Sequence, residues 1–155
     1  MLLSRQNCPA LARTDSQLLP LSRGGYVLSP AEGECVGILM ATGSEVGLAM
    51  NAQAQLKEQG IAVRVVSMPC VELFLQQDAD YQESVLPAAL SARVAVEAGA
   101  SMCWHRFVGR TGAVVGCDQF GYSAPYERVY EAVGLTVENV VATLLTCLQA
   151  EAQSI

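Results

Sequence analysis

Short apolar runs alternate along this chain with longer segments of helical character. Five of the runs are rich in β-branched or other apolar residues and are bounded by glycine, proline or polar turns, which is typical of strands. They lie at residues 25–28, 35–41, 61–67, 93–97 and 113–118. The second run is apolar at consecutive positions, as a strand covered on both faces must be, so we expect it near the centre of a sheet.

The segments between and after the strands predict helices. The first helix should open at the turn 42–45, because T-G-S-E fits a capping box, and it should end at Gly60. Further helices are predicted at residues 69–86, 99–108, 123–134 and from 136 onwards. Strands that alternate with helices favour right-handed crossovers. The pattern therefore predicts a three-layer α/β/α sandwich around a mostly parallel five-stranded sheet.

The amino-terminal segment differs from the rest of the chain. Residues 6–23 contain two prolines and scattered polar positions without a sustained period, so they read as an irregular connector. We predict a boundary near Gly24, with a single α/β domain over residues 24–155. The whole chain of 155 residues is 52% hydrophobic and 15% charged, a balance that one compact core can accommodate.

Charge and cysteine usage exclude several classes of function. The net charge is −6 and the basic residues are scattered singly, which argues against nucleic acid as a partner. The longest charge-free run, residues 139–150, is shorter than the roughly 20 apolar residues of a membrane span, so no membrane partner is expected. The six cysteines lack metal-site spacing and no secretion signal opens the chain, so we expect reduced thiols and a cytoplasmic protein.

Two candidate sites lie at a turn and in a helix. The turn after Ala41 places free N–H groups at the carboxyl edge of the sheet, where open α/β sheets bind ligands. It lacks the glycine spacing that wraps a pyrophosphate, so an ordinary capped helix is favoured. His105 stands between Trp104 and Arg106 with no second histidine in the chain, which favours a packing role over catalysis.

Two carboxylates end predicted strands. Asp118 could coordinate a metal or close a turn, and the turn is favoured. Glu97 should be partly buried and therefore needs a partner, either a ligand or a backbone N–H, and the backbone partner is favoured. Residue by residue, the sequence predicts no catalytic, cofactor-binding or metal-ligating residue and no self-contained active site.

Eight segments are informative when they are taken together, in their order and spacing. They are L-S-R-Q-N (Leu3 to Asn7), G-G-Y-V-L (Gly24 to Leu28), A-T-G-S-E-V (Ala41 to Val46), V-R-V-V-S-M-P-C (Val63 to Cys70), V-A-V-E-A-G (Val94 to Gly99), F-V-G-R-T-G-A-V-V-G (Phe107 to Gly116), F-G-Y-S-A-P (Phe120 to Pro125) and G-L-T-V-E-N-V-V (Gly134 to Val141). Each is weak alone. The ordered set resembles the C-terminal third of transketolase across essentially the whole chain.

This resemblance implies a function for the complete protein. Transketolase transfers a two-carbon ketol unit between sugar phosphates in the pentose phosphate pathway, using thiamine diphosphate and a divalent metal, Mg²⁺ or Ca²⁺. It is a homodimer whose active sites lie between its first two domains. By resemblance, residues 1–23 are the end of the preceding pyrimidine-binding domain plus a linker, and residues 24–155 are the Rossmann-like C-terminal domain. The implied partners are the remaining domains, on the same or a separate chain, and sugar phosphates.

The resemblance assigns one site residue, Arg5. In the family, L-S-R-Q-N supplies an arginine that binds the phosphate of the sugar substrate, and Arg5 occupies that position. The G-D-G metal and diphosphate motif, the thiamine-activating glutamate and the active-site histidines have no counterpart in this chain. We therefore expect an excised or separately encoded part of the enzyme that binds no cofactor and is inactive by itself. Cys8 and Tyr122 depart from the common family residues and bear on packing.

Two alternatives from other classes remain at this stage. A stand-alone α/β module would bind a small ligand at the Thr42 and Asp118 turns. The C-terminal domain of a related thiamine enzyme, such as a 2-oxoacid dehydrogenase β subunit, would instead be a docking surface for a partner. The L-S-R-Q-N and F-G-Y-S-A-P segments argue against this second alternative.

Overall fold

The computed structural model describes residues 6–8, 10 and 19–153. In that part of the chain, five strands form one sheet in the order β1-β3-β2-β4-β5. The strands are β1 (Tyr26–Ser29), β2 (Gly37–Ala41), β3 (Val63–Ser67), β4 (Arg93–Val96) and β5 (Ala113–Val115). β1 pairs antiparallel with β3, and the other three pairings are parallel. The five predicted strands are confirmed to within about three residues, and β2 is central as expected.

Helices cover both faces of this sheet. In the described residues they are α1 (Glu45–Glu58), α2 (Val71–Leu75), α3 (Ala79–Val85), α4 (His105–Val108), α5 (Tyr126–Ala132) and α6 (Val137–Ala152), with short 3-10 helices at Leu19–Arg23 and Ser101–Trp104. β2 shows how the layers share the core. Its Leu39 packs in the cluster formed with α1 and α6, whereas its Ile38 packs in the cluster formed with α2, α3 and α4. The predicted three-layer sandwich is confirmed.

The sequence predicted the C-terminal end of α1 correctly but not the capping of its N-terminal end. Gly60 follows the helix at φ +76, and the N–H groups of Gly60 and Ile61 donate to Lys57 and Leu56, which ends the helix as expected. The predicted capping box is wrong. Ser44 occupies the N-cap position and its side chain makes no capping bond to the backbone. The Glu45 carboxylate is instead buried and accepts a hydrogen bond from Tyr130 of a distant helix, as described below.

Gly24, the first residue of the predicted domain, packs closely against the backbone of the segment that begins α2. Gly24 has φ +83, and a Cβ at this position would overlap the backbone near Cys70 and Phe74 at the start of α2. The Gly24 carbonyl accepts a hydrogen bond from the Cys70 N–H at 2.9 Å. Only glycine fits both the backbone conformation and the space, which accounts for its place in G-G-Y-V-L.

The last two helices are apolar in composition. By length and composition alone, the segment Tyr126–Ala152 could cross a membrane, with a window of mean hydropathy 1.4. The segment is divided into α5 and α6 by Gly134 at φ +77, and Thr136 caps α6 by accepting the Asn139 N–H at 3.2 Å. The α6 side chain Leu144 is fully buried against the sheet. A core helix of a soluble domain passes the same compositional test, so this is weak evidence for a span.

Candidate functional site

Arg5, the residue that the resemblance assigns to phosphate binding, lies outside the described residues. Its neighbour Gln6 is described and is partly buried. The Gln6 side-chain amide donates through Nε2 to the hydroxyl oxygen of Tyr130 at 3.0 Å, across 124 residues of sequence. Gln6, at the end of the L-S-R-Q-N segment that the structure describes, therefore contacts the α/β domain through Tyr130 of α5.

Tyr130 connects this segment to a buried carboxylate. Its hydroxyl donates to Oε1 of Glu45, the first residue of α1. The Ser44 hydroxyl donates to the same oxygen at 2.6 Å. Glu45 is only 4% exposed, and no ion pair with it is formed by the residues that the structure describes. A buried carboxylate without a cation needs hydrogen-bond donors, and here two hydroxyl groups supply them.

The electrostatics of this contact keep the Tyr130 phenol neutral. Burial, and secondly the hydrogen bond to Glu45, raise the pKa of Tyr130 to about 12. The phenol therefore keeps its proton at physiological pH and remains a donor to Glu45, while its oxygen accepts from Gln6. The result is a chain of hydrogen bonds from the Gln6 amide through the Tyr130 hydroxyl to the Glu45 carboxylate.

A small cavity of about 220 Å³ surrounds this chain of hydrogen bonds. The residues lining it include Asn7, Cys8, Ser44, Leu48, Tyr126 and Tyr130. Sites for drug-sized ligands typically occupy about 300–1,000 Å³, so this cavity lies below that range. It lies between residues 6–8 on one side and the helices α1 and α5 on the other.

A second polar cluster lies at the carboxyl edge of the sheet. The Asp118 carboxylate accepts the Ser101 N–H at 2.8 Å and the Ser101 hydroxyl at 2.7 Å. These two bonds hold the pKa of Asp118 below its ordinary value. The prediction that Asp118 closes a local turn is therefore corrected. Its carboxylate binds Ser101, which lies 17 positions earlier in the chain at the start of the 3-10 helix. Among the described residues, no three metal-ligating side chains gather here or elsewhere.

The prediction that His105 packs in the core is wrong. Its side chain is exposed, and its Nε2 lies 3.3 Å from the Ser101 hydroxyl. Trp104 and Phe107 fill the core from this short segment, which leaves His105 on the outer side. Serine, histidine and aspartate thus meet, but Ser101 donates to Asp118 instead of to the imidazole. A hydrolytic triad requires the carboxylate on the histidine and the histidine as base for the serine, so this cluster is not one.

Glu97 has partners within the domain. One carboxylate oxygen accepts the Gly99 N–H at 2.9 Å, and the other accepts the Trp104 indole N–H at 2.9 Å. The sequence prediction of a backbone partner is confirmed. The hydrogen bond from the Trp104 indole was not predicted, because no local sequence pattern indicates that Trp104 lies next to the end of β4. With both oxygens engaged, Glu97 needs no ligand.

The fold defines the class of protein. It is a three-layer α/β domain with one antiparallel edge strand, and a preceding segment docks on it at the amino end of α1. A family model described as the transketolase-like C-terminal domain matches residues 24–136. The chain belongs to this transketolase C-terminal domain family, which confirms the resemblance read from the sequence.

Individual relatives support the same assignment. The chain is 52% identical over 142 residues to transketolase 1 of Escherichia coli, a match that covers 92% of this chain and 21% of that protein. Its structure matches a transketolase from Leishmania mexicana with a TM-score of 0.79 and 38% identity, over 86% of this chain and 19% of that one. A Pichia stipitis transketolase in complex with sedoheptulose-7-phosphate matches with a TM-score of 0.86 and 30% identity, over 96% and 21% of the two chains. The chain thus spans only about a fifth of the length of these relatives.

Proposed function

We propose that this chain acts as the structural and assembly domain of a transketolase, an enzyme that transfers a two-carbon ketol unit between sugar phosphates in the pentose phosphate pathway. The observation that carries the proposal is the 52% identity to the Escherichia coli transketolase over nearly the whole chain. It favours this function over a stand-alone ligand-binding module and over a dehydrogenase docking domain. Because the match covers 21% of that relative, the activity belongs to the complete protein.

The division of the chain follows from the same proposal. Residues 24–155 form the C-terminal domain, and residues 1–23 are the end of the pyrimidine-binding domain with its linker. The start of the family match at residue 24 supports this boundary. The irregular character of residues 6–23 supports it as well.

Thiamine diphosphate and the divalent metal are assigned to the remaining domains of the enzyme. In the part of the chain that the structure describes, no group of three or more His, Cys, Asp or Glu side chains could hold a metal ion. Glu45 is engaged by two hydroxyl groups, Glu97 by Gly99 and Trp104, and Asp118 by Ser101. No step of the chemistry is assigned to residues 24–155, and the only substrate contact proposed for this chain is that of Arg5 in the preceding segment.

The partners of the domain are the rest of the transketolase, on the same or a separate chain, and a second copy in a homodimer. Exposed apolar side chains support a covering partner, since contiguous ones mark interaction surfaces. Phe120 and Tyr122 in the F-G-Y-S-A-P segment are 97% and 57% exposed, and Met102 is 81% exposed. The six cysteines all lie in the described residues and are free, which supports a reducing, cytoplasmic compartment.

Arg5 is the residue of this chain that binds the substrate phosphate in the proposed function. A guanidinium offers paired donors that match a phosphate, which a single ammonium cannot. The position of Arg5 in L-S-R-Q-N supports the role, and so does the contact that seats the adjacent Gln6 on the domain.

The test uses the complete enzyme with Arg5→Ala. Loss of a charged hydrogen bond of about 1.5–3 kcal/mol should lower kcat/KM for phosphorylated sugars by roughly 10- to 150-fold. Unphosphorylated acceptors never make this contact, so their turnover should change little. Arg13→Ala is the matched control, because Arg13 lies in the same segment outside the motif. An equal loss for both substrate types would show that Arg5 is structural.

A further inference from the structure

We propose that a cavity between α2, α3 and α4 binds a small monocarboxylate with an apolar body. The cavity has a volume of about 350 Å³ and lies at the amino end of β4. Sites for small ligands typically occupy about 300–1,000 Å³, so its size falls within that range. The site is independent of the proposed function. It lies at the opposite edge of the sheet from Glu45 and Asp118, which follow the carboxyl ends of β2 and β5.

Arg93, the first residue of β4, supplies one positive charge to the wall of this cavity. A guanidinium has five N–H groups. Four of them donate here to the backbone carbonyls of Leu86, Pro87, Leu90 and Phe107. These contacts hold the side chain in one place. Within the described part of the chain they leave one Nη1 N–H of Arg93 for a further acceptor.

Arg106 supplies a second positive charge. Its guanidinium carbon lies 5.4 Å from the centroid of the Phe107 ring, which lines the same cavity. This stacking keeps the charge beside the cavity although Arg106 itself is exposed. Neither Arg93 nor Arg106 forms an ion pair with a carboxylate of the described residues. Two cations that share a cavity without a paired carboxylate favour the binding of an anion.

Glu83 also lines the cavity and limits the charge of the ligand. It is exposed, and its Oε1 accepts the Ala88 N–H at 2.8 Å. With two guanidinium groups and one carboxylate, the lining has an excess of one positive charge. That balance favours a monoanion, because Glu83 would repel a phosphate dianion more strongly. A carboxylate also matches the planar donors of a guanidinium.

Most of the remaining lining is apolar. The rings of Phe74 and Phe107 have centroids 6.3 Å apart and planes at 55°, and Leu75, Leu86 and Ala79 lie beside them. Apolar walls with a few polar groups that fix orientation are typical of small-molecule sites. The guanidinium groups would hold the carboxylate, and the apolar side chains would contact the body of the ligand.

Phenylacetate is the probe for this site, and phenylacetamide is its neutral counterpart. In ¹H–¹⁵N NMR spectra of this chain, phenylacetate should shift the backbone amide signals of Leu75 and Phe107 in a saturable way. A ligand with about ten non-hydrogen atoms should bind with a Kd of about 1–10 mM. Phenylacetamide has no charge for the guanidinium groups and should bind about 5-fold more weakly or not at all.

Arg106→Gln tests the charge without disturbing the core, because Arg106 is exposed. It should weaken phenylacetate binding about 3- to 10-fold, between the effects of an exposed ion pair and of a charged hydrogen bond. Arg110→Gln is the matched control. Arg110 is also exposed, lies four positions later and does not line the cavity, so its removal should leave the Kd unchanged. Arg93 stays intact in the test because its carbonyl contacts support the fold.

Glu83→Gln tests the sign of the electrostatic effect. Glutamine keeps an Oε1 that can accept the Ala88 N–H, so the local structure should persist. The substitution removes the negative charge from the lining. Phenylacetate should then bind about 2-fold more tightly, the effect expected for one screened surface charge.

The measurements can overturn the site or its ligand class. No saturable shift up to about 50 mM phenylacetate would overturn the site. Equal losses in Arg106→Gln and Arg110→Gln would overturn it as well, and so would weaker binding in Glu83→Gln. Equal binding of phenylacetamide, or tighter binding of inorganic phosphate than of phenylacetate, would overturn the monocarboxylate class. None of these results changes the family of the chain, which rests on the comparisons.

Discussion

The hydroxyl of Tyr130 donates to the carboxylate of Glu45, which lies 85 residues earlier in the chain. The contact joins the beginning of α1 to α5 and gives a buried carboxylate a neutral donor in place of a cation. It also explains why Glu45 does not act as the partner of a capping box. A tyrosine held in this way has a measurable signature in its ionisation.

The pKa of Tyr130, raised to about 12 by burial and by Glu45, predicts a loss of stability at high pH. An unfolded tyrosine ionises near pH 10, so the folded state binds the proton more tightly between about pH 10 and 12. The contribution of Tyr130 is therefore complete below pH 10 and is lost as the pH rises toward 12. Burial also raises the pKa of Tyr81, so absorbance at 295 nm should show late-ionising phenols of which the one near pH 12 is absent in Tyr130→Phe. The same late phase in both proteins would contradict the assignment.

Arg93 predicts a large stability effect away from the candidate site. Its guanidinium donates to four backbone carbonyls at 2.7–3.1 Å, those of Leu86, Pro87, Leu90 and Phe107. Burial lowers the pKa of Arg93, which nevertheless stays charged at neutral pH. Arg93→Ala leaves these acceptors without their donor and should reduce the free energy of unfolding by about 3 kcal/mol.

Urea unfolding of this chain measures the effect of Arg93→Ala. The matched control is Arg106→Ala, because Arg106 is exposed and only stacks over the Phe107 ring, 5.4 Å from its centroid. The control should cost about 1 kcal/mol or less. Equal effects of the two substitutions would show that the carbonyl contacts of Arg93 contribute little.

The Asp118–Ser101 contact predicts a shifted titration. The Ser101 N–H and, secondly, its hydroxyl lower the pKa of Asp118 below 3.8. Because the folded pKa is depressed, the stability from this contact is present above the ordinary value and is lost as the pH falls through the folded one. Ser101→Ala keeps the N–H donor, so it should raise the pKa only part of the way back. Carbon-13 NMR titration of the carboxyl group measures both values, and an Asp118 pKa at or above 3.8 in the unmodified chain would contradict the contact.

The fold could be predicted from the sequence because its signals are local. The residues of β2 are apolar on both faces, which is the pattern of a central strand, and all five are buried between the two helical layers. Gly60 and Thr136 mark a helix end and a helix start that depend on neighbouring residues alone. The antiparallel direction of β1 has no local signal, since it depends on how residues 30–36 turn the chain.

The candidate site could be predicted only in part, because its contacts join distant segments. The T-G-S-E pattern placed the start of α1 to within two residues. The hydrogen-bond partner of Glu45 was not predicted, because tertiary packing brings Tyr130 beside it. His105 is exposed because Trp104 and Phe107 occupy the core. The local sequence does not indicate which of these side chains faces the core. The Arg93 contacts likewise depend on where the residue 86–90 loop and α4 settle around β4.

The assignment of the cofactor to other domains predicts the behaviour of this chain with thiamine diphosphate. The carboxylates of Glu45, Glu97 and Asp118 are engaged by hydrogen bonds within the domain, and the sequence carries no G-D-G motif to hold a metal and a diphosphate. Calorimetric titration with thiamine diphosphate and magnesium should show no heat above dilution. Binding at micromolar concentration would reveal a site in this chain and contradict the assignment.

Ketol transfer between sugar phosphates, measured on the complete protein and on this chain alone, tests the central claim most directly. The complete protein should transfer the two-carbon unit only when thiamine diphosphate and a divalent metal are present. This chain alone should show no transfer, because it corresponds to the C-terminal domain and the proposed function places the cofactor in the other domains. A complete protein without transfer activity, or a chain that is active by itself, would contradict the account.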